Sequence, residues 1–337
     1  MGMNPSTNLV LGVDIGGTKV AAGLVGSDGK ILLHHRGPMA SDRDAAAGLK
    51  AVLAGVDAVM TDSAAQGRAI SAIGLSSPGP VDQRRGIVIN PPNLPCWRDF
   101  PLVAEVERHT RLPARLENDA NAAALAEALW GAGRGATSLF YVTVGTGIGT
   151  GVVLDGKIYS GSRGAAAEGG HVTIDYRGER CGCGKRGCIE TLISGPALAR
   201  RARQRLSHPQ NQSSKILTLA GGNVKSVTAE IVAEAERAGD PLAHDLLCAT
   251  ADYAAIWLGS MVDVLDPEVV VIGGGMSELF AAWFDYIQNK LPEWSINPHA
   301  REIPLRRAAY GEDSGIAGAA ALWHNSPNTL SETRRPS

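Results

Sequence analysis

Residues 9–25 read LVLGVDIGGTKVAAGLV, and this stretch decides the fold of the chain. Leu9–Ile15 is a short apolar run typical of a buried strand, a Gly-Thr turn follows, and Val20–Val25 is a second strand-like run. The turn signal Ser27-Asp28-Gly29 precedes a third strand. Because the Gly-Thr turn leads into a strand and lacks both the GxxxxGK[ST] and GxGxxG spacings, it is neither a Walker A loop nor a Rossmann fingerprint.

The same order recurs in the second half of the sequence. Leu139–Val144 is a strand, residues 145–149 form a second Gly-Thr turn, Thr150–Leu154 is another strand, and Asp155-Gly156 is a hairpin turn. This internal repeat predicts two domains of similar topology, as the length of 337 residues also suggests. We expect an N-terminal domain at 1–118 rejoined by a C-terminal helix at 314–324, a C-terminal domain at 119–313, and a disordered tail at 325–337.

Composition narrows the class of protein. The chain is 44% hydrophobic and 20% charged, with a formal net charge of −2, and no basic run precedes Arg334-Arg335, which argues against a nucleic-acid surface. Met1–Asn8 is too short and polar for a signal peptide, and the uncharged stretch Ala136–Leu154 is typical of two strands rather than a membrane helix. Free cysteines beside a predicted metal cluster favour a reducing compartment, hence the cytoplasm.

Both Gly-Thr turns predict phosphate binding, because backbone N–H groups and a hydroxyl converge there. Asp14, at the end of the first strand, is placed to hold Mg²⁺ through water, and Lys19 is placed to neutralise phosphate charge. A hairpin without a ligand is the alternative for either turn alone. Three consecutive glycines after the apolar strand Val269–Ile272 allow close approach of a flat ligand such as adenine. The predicted nucleotide residues are Asp14, Gly16, Gly17, Thr18, Lys19, Gly145, Thr146, Gly147, Gly149, Gly273, Gly274 and Gly275.

A cysteine cluster predicts a structural zinc site. Cys181, Cys183 and Cys188 lie within eight residues, and His171 precedes them closely. Three thiolates and one imidazole form the closed tetrahedral set that Zn²⁺ prefers in structural sites, whereas unrelated buried thiols are the alternative. Glu168 and Glu190 flank the cluster, so the metal would hold two carboxylates in place for a ligand rich in hydroxyl groups.

Asp119 is the strongest candidate for catalysis. Glu117-Asn118-Asp119 lies at a predicted strand-to-helix corner, where the helix N-terminus favours an ionised carboxylate. Such a group can accept a hydroxyl proton during phosphoryl transfer. A helix N-cap without chemistry is the alternative interpretation of this position.

Together these motifs resemble the ROK family of bacterial sugar kinases and sugar-responsive repressors. The resemblance runs from about Leu9 to Leu322 and includes Glu117-Asn-Asp-Ala-Asn121 and Glu168-Gly-Gly-His171. It implies an α/β, two-domain actin-like (ribonuclease H-like) ATPase fold with ATP in a cleft, a homo-oligomer (dimer or tetramer), and Asp119 as the base. The sugar hydroxyls would be held by Asn93, Asn118, Asp119, Glu168, His171 and Glu190, with His171 binding zinc through its other ring nitrogen.

The resemblance leads us to expect ATP-dependent phosphorylation of a hexose at its 6-hydroxyl, with glucose as the substrate. An N-acetylhexosamine kinase or a broad hexokinase is the alternative. A sugar-responsive repressor fits less well, because the first phosphate-type strand begins at Leu9 and leaves no room for a helix-turn-helix domain. Two departures from the family pattern bear on sugar preference, Cys96 before Trp97 and the segment Thr191-Leu192-Ile193.

Overall fold

The computed structural model describes residues 9–324, so the predicted disordered tail and the segment before Leu9 lie outside the described residues. The strands are β1 (Leu9–Ile15), β2 (Lys19–Val25), β3 (Ile31–Pro38), β4 (Ile70–Ser77), β5 (Val81–Asp82), β6 (Ile87–Val88), β7 (Ala114–Asn118), β8 (Ser138–Val144), β9 (Ile148–Leu154), β10 (Lys157–Ile158), β11 (Val269–Gly273) and β12 (Leu305–Arg307). The helices are α1 (Ala45–Ala65), α2 (Leu102–Thr110), α3 (Asp119–Leu129), α4 (Glu190–Ile193), α5 (Gly195–Leu206), α6 (Lys215–Leu219), α7 (Ala229–Arg237), α8 (Pro241–Leu265), α9 (Ser277–Ala281), α10 (Phe284–Trp294) and α11 (Ser314–His324).

The first sheet has the strand order β3-β2-β1-β4-β7. β1, β2 and β3 are antiparallel neighbours joined by tight turns, while β4 and β7 run parallel to β1. In this register Asp14 lies beside Ser76, and Ser77 lies beside Asn118. Because parallel strands share their carboxyl ends, β1, β4 and β7 finish at one edge of this sheet, and two of them, β1 and β7, carry predicted site residues.

The second sheet, β10-β9-β8-β11-β12, repeats this arrangement. β8, β9 and β10 take the places that β1, β2 and β3 have in the first sheet. β11 and β12, which pair in parallel, take the places of β4 and β7. The identical strand order confirms the internal repeat predicted from the two Gly-Thr turns.

The structure divides into two compact units. Among the described residues, the first comprises 9–141, 151–167 and 308–324, and the second comprises 142–150 and 168–307. The division differs from the predicted boundary at 118/119, because α3 stays with the first unit. There α3 packs against α11, and a Cβ at Gly318 of α11 would lie only 2.4 Å from the Ala122 carbonyl carbon of α3.

The helical segment that follows Thr228 consists of two helices, α7 and α8. Thr228 caps α7 by accepting the Ile231 N–H, and Asp240 caps α8 by accepting the Ala243 N–H at 2.8 Å. Pro241 occupies the first position of α8, where its missing N–H costs nothing. Within residues 9–324, no helix is long and apolar enough to cross a membrane.

Candidate active site

The first Gly-Thr turn is closed by backbone hydrogen bonds and held by a neighbouring segment. The Gly16 N–H donates to the Lys19 carbonyl at 2.9 Å, and the Met39 N–H donates to the Thr18 carbonyl at 2.9 Å. The Ser41 hydroxyl donates to the Gly17 carbonyl at 2.5 Å. Thr18 and Lys19 are exposed at the turn, as phosphate contacts require.

Asp14 lies behind this turn in a tightly packed position. The Ser76 hydroxyl donates to its Oδ1 at 3.1 Å, and a Cβ at Gly315 in the first turn of α11 would lie only 2.2 Å from its carboxyl carbon. Burial raises the pKa of Asp14, opposed by the Ser76 hydrogen bond and by Lys19 and Arg36. A carboxylate short of compensating charge is suited to a divalent cation.

The loop that carries Asn93 is anchored by two fully buried neighbours. Leu94 and Trp97 are 0% and 1% exposed, and the Trp97 ring stacks on Phe100 at 4.9 Å between centroids. The Cys96 N–H donates to the Ser41 carbonyl at 3.1 Å, so the same serine contacts both the first turn and this loop. The Cys96 sulfur points toward α1, where a Cβ at Gly48 would be 3.0 Å from it.

The corner between β7 and α3 places Asn118 and Asp119 at a helix N-terminus. The Asn118 side-chain oxygen accepts the Ala120 and Asn121 N–H groups at 3.0 and 3.2 Å, so Asn118 is the N-cap. Only its amide nitrogen is left to donate to a substrate. Asp119 Oδ1 accepts the Ala120 N–H at 2.8 Å, so the carboxylate is fixed in the first turn of α3.

Glu117 supports this corner from below, a role that sequence reasoning missed. This 6% exposed residue accepts hydrogen bonds through Oε1 from Gln83 Nε2, the Asn118 N–H and Asn121 Nδ2, at 3.0, 2.8 and 3.1 Å. The available signal was its place in the motif Glu117-Asn-Asp-Ala-Asn121, which begins at the end of β7 and continues into the first turn of α3. Glu117 therefore orients the backbone that presents Asp119.

The second Gly-Thr turn is closed by a hydrogen bond from the Gly145 N–H to the Gly147 carbonyl at 3.0 Å. The Gly195 N–H, at the start of α5, donates to the Gly145 carbonyl at 2.9 Å. Glu190 Oε2 accepts the Ile148 N–H at 3.0 Å, and a Cβ at Gly147 would lie 2.7 Å from that carboxylate oxygen. The second turn is thus braced by a carboxylate 42 residues away.

The four predicted zinc ligands come together in the second unit. One donor atom each from His171, Cys181, Cys183 and Cys188 lies within 4.8 Å of the others. The Cys183 and Cys188 sulfurs are 3.7 Å apart, and Cys181 Sγ is 3.6 Å from His171 Nδ1. Zn–S bonds of about 2.3 Å and a Zn–N bond of about 2.0 Å in a tetrahedron require about 3.8 and 3.5 Å, so the spacing fits zinc. It is far too long for a disulfide.

Protons compete with a metal ion for the sulfur atoms of this cluster. Burial raises the pKa of Cys181 to about 12, and burial also raises the pKa of Cys188. Burial acts the same way on Cys183, but the Lys185 backbone N–H and the neighbouring thiols outweigh it and lower that pKa. A bound cation must therefore displace the protons of Cys181 and Cys188.

The predicted sugar ligands of this unit surround the cluster. Glu168 is exposed, while His171 and Glu190 are half-buried. The contact of His171 Nδ1 with Cys181 assigns that nitrogen to the metal side and leaves Nε2 for a substrate. Glu190 Oε1 is 3.4 Å from Cys181 Sγ. In the segment that follows, the Thr191 hydroxyl donates to the Cys188 carbonyl at 2.7 Å and Ile193 is buried, so this family departure lies within α4.

The glycine triplet borders a cavity of about 350 Å³ in the second unit. Gly275 and Met276 line it together with Ala229, Leu247 and Trp283. The Met276 N–H donates to the Val144 carbonyl at 3.0 Å, which ties the triplet to the strand that precedes the second turn. The lining also includes the charged residues Glu230, Glu236, Arg237 and Glu278, and a slot that combines apolar walls with polar groups suits a nucleobase.

Within the first unit, the structure brings Asp14 beside Ser76, which pairs in turn with Glu117, the residue before Asn118 and Asp119. Within the second unit, it brings together the second turn, the zinc ligands and Glu190, and it places the glycine triplet beside Val144. Ser76 and Gly315 were missed by sequence reasoning, since their roles depend on strand register and helix packing. Thr146, Gly149, Gly273 and Gly274 lie in or beside the elements predicted for them.

Comparison with known proteins gives a consistent result. A family model described as the ROK family matches residues 10–326. The glucokinase of Streptomyces coelicolor is 35% identical over 317 residues, covering 93% of this chain and 97% of the relative. The N-acetylmannosamine kinase of Escherichia coli is 34% identical over 314 residues, covering 93% of this chain and 97% of the relative.

Solved structures show the same similarity. A ROK family glucokinase from Streptomyces griseus, in complex with glucose and AMPPNP, superposes with a TM-score of 0.79 at 36% identity, covering 94% of this chain and 99% of that one. A ROK hexokinase from Thermus thermophilus superposes with a TM-score of 0.76 at 37% identity, covering 93% and 97%.

Proposed function

Since the chain belongs to the ROK family, with its two-domain actin-like ATPase fold, we infer that it is an ATP-dependent hexose kinase that converts glucose to glucose 6-phosphate. The relatives named as glucokinases, and the structure that holds glucose and AMPPNP, support this activity at 34–36% identity over more than nine-tenths of the chain.

The observation that carries the proposal is the shared edge of the first sheet. Asp14 is the penultimate residue of β1 and lies beside Ser76, and Asn118 ends β7 beside Ser77. A magnesium carboxylate and a base at the carboxyl ends of two parallel strands, separated by β4 alone, can serve one phosphoryl transfer, because such transfers depend on positioning and charge stabilisation.

In our proposal Asp119 accepts the proton of the 6-hydroxyl as that oxygen attacks the γ-phosphorus of ATP. The helix N-terminus keeps this carboxylate ionised and oriented. Asn93, Asn118, Glu168, His171 and Glu190 hold the remaining hydroxyl groups. Asn118 contributes its amide nitrogen, because its oxygen caps α3.

The two turns would hold the phosphates, and Mg²⁺ would lie toward Asp14. The Mg²⁺ ion supplies charge neutralisation on the phosphate oxygens, while Lys19 adds a second positive charge at the first turn. Zinc is structural in this proposal, because Cys₃His leaves no open position for a water nucleophile. A cytoplasmic location and a homo-oligomeric state belong to the same proposal.

An N-acetylhexosamine kinase is the alternative, favoured by the similarity to the N-acetylmannosamine kinase. Coupled ADP-release assays with glucose, N-acetylglucosamine, N-acetylmannosamine, mannose and fructose separate the two. We expect the highest kcat/KM for glucose. A higher value for either N-acetylated sugar would reassign the substrate and leave the kinase class intact.

The direct test of the mechanism is Asp119→Asn. We expect kcat to fall by about 10²–10⁴, because proton transfer is lost, while glucose binding stays within a few-fold of wild type. Zinc content and melting temperature serve as folding controls. If the variant keeps more than about a tenth of the wild-type kcat, Asp119 is not the base.

A further inference from the structure

Glu190 connects the second Gly-Thr turn with the zinc cluster, which are separate motifs in the sequence. Its Oε2 accepts the N–H of Ile148, a residue of the second Gly-Thr turn and the first residue of β9, at 3.0 Å. Its Oε1 is 3.4 Å from the sulfur of zinc ligand Cys181, and it follows zinc ligand Cys188 by two residues. One carboxylate therefore spans the distance from the metal cluster to the phosphate turn.

A second connection runs from the other side of the cluster to the same strand start. Gly169 lies two residues before zinc ligand His171, and its N–H donates to the Thr150 hydroxyl at 2.8 Å. A Cβ at Gly170 would lie 2.0 Å from the Ile148 carbonyl oxygen, so the backbones of the two segments are in direct contact. The zinc-binding segments thus hold Ile148 through both its N–H and its carbonyl side.

We propose that Glu190 is a positioning residue through which the zinc cluster sets the geometry of the nucleotide turn. The proposal rests on the nucleotide role assigned to residues 145–149. Ile148 is buried, so the loss of its carboxylate acceptor would leave a buried N–H without this partner. Hydrogen bonds to a carboxylate are about twice as strong as neutral ones, so one contact can carry this coupling.

This role differs from the sugar contact that the resemblance assigns to Glu190. A residue that only holds sugar would leave nucleotide affinity unchanged in the absence of sugar. A residue that positions the turn would change that affinity without any sugar present. The two roles also predict different effects of Glu190→Gln. The glutamine side-chain oxygen can still accept the Ile148 N–H, so a positioning role predicts that nucleotide affinity is kept.

The test is binding of AMPPNP with Mg²⁺, without sugar, measured by calorimetry on the full chain with zinc content determined for each sample. Glu190→Ala should weaken binding on the order of tenfold, which corresponds to one such hydrogen bond. Glu190→Gln should stay within about twofold of wild type. Thr150→Val, which touches no zinc ligand, should weaken binding a few-fold.

Glu168→Gln is the matched control, since it alters a predicted sugar ligand on the exposed side of the cluster. It should change glucose affinity and leave AMPPNP affinity alone. Chelation of zinc from the wild type, followed by restored Mg²⁺, should reproduce the loss seen in Glu190→Ala.

Wild-type AMPPNP affinity in zinc-containing Glu190→Ala would overturn the proposal. If that variant does not fold, unchanged affinity in Thr150→Val and in the zinc-depleted wild type overturns it instead. Failure of the wild type itself to bind AMPPNP would contradict the proposed kinase function, which is a separate result.

Discussion

The two Gly-Thr turns occupy equivalent places in the two sheets, yet they are stabilised in different ways. Aligning Gly16 with Gly145 sets Asp14 against Thr143 and Lys19 against Ile148. The first turn therefore has its carboxylate and ammonium within its own six residues. The second turn has neither and takes its carboxylate from Glu190, beside the zinc cluster.

This difference shows how one backbone motif can take on two tasks. In the first unit the turn presents charge, with Asp14 held by Ser76 and close to α11. In the second unit the turn presents backbone N–H groups, and distant segments fix its shape. We interpret the zinc cluster as the replacement for the local charges that the second copy lacks.

The largest expected effect is a difference in activity between substitutions at Asp14 and at Thr143, its equivalent in the second turn. Asp14→Asn should lower kcat/KM for ATP by about 10²–10³, because the site loses its metal carboxylate. Thr143→Val, the matched change in the second copy, should cost no more than a few-fold. Steady-state kinetics with varied Mg²⁺ checks both, and equal losses would show that the copies share one role.

Zinc affinity should depend steeply on pH. This property belongs to the second turn alone, because among the described residues the first turn has no cysteine cluster beside it. Because the pKa values of Cys181 and Cys188 are raised, zinc must displace at least two protons near neutral pH. The affinity should then rise by at least about 100-fold per pH unit between pH 7 and 8. Competition with a chromophoric chelator measures this slope, and a pH-independent affinity would contradict the protonated state of these thiols.

Two alanine substitutions within the second turn should act differently. A Cβ at Gly145 meets nothing within 4 Å among the described atoms, so Gly145→Ala should raise the KM for ATP without disturbing the fold. A Cβ at Gly147 would displace Glu190, so Gly147→Ala should raise the KM for both ATP and sugar, by about tenfold. Kinetics with each substrate varied in turn, beside zinc content, tests this contrast.

The smallest expected effect is on stability. The folded chain raises the pKa of Asp14 above its ordinary value of 3.8, so ionisation of this group opposes folding above that pH. Asp14→Asn should therefore raise the melting temperature at pH 7.5 by about 1–3 °C, and the gain should shrink as pH falls toward 4. A lower melting temperature at pH 7.5 would show that the Ser76 contact outweighs the burial of charge.

Local signals in the sequence predicted much of the framework. The Gly-Thr turns, the Asn118 cap and the clustered zinc ligands each depend on a few neighbouring residues, and the structure places them where the patterns indicate. The short elements α2, α10 and β12 were missed, because little periodicity fits in three to eleven residues. Pro241, preceded by the capping residue Asp240, is a further local signal, since it marks the start of α8.

The sequence by itself determined the repeat, its turn chemistry and the set of metal ligands, since these are properties of adjacent residues. The tertiary structure decided which distant side chains contact the turns and the metal ligands. Asp14 meets Ser76 only through strand register, Glu190 reaches Ile148 across 42 residues, and α3 joins the first unit through α11. These contacts join residues far apart in the chain, and no short-range pattern specifies them because packing of whole elements brings their partners together.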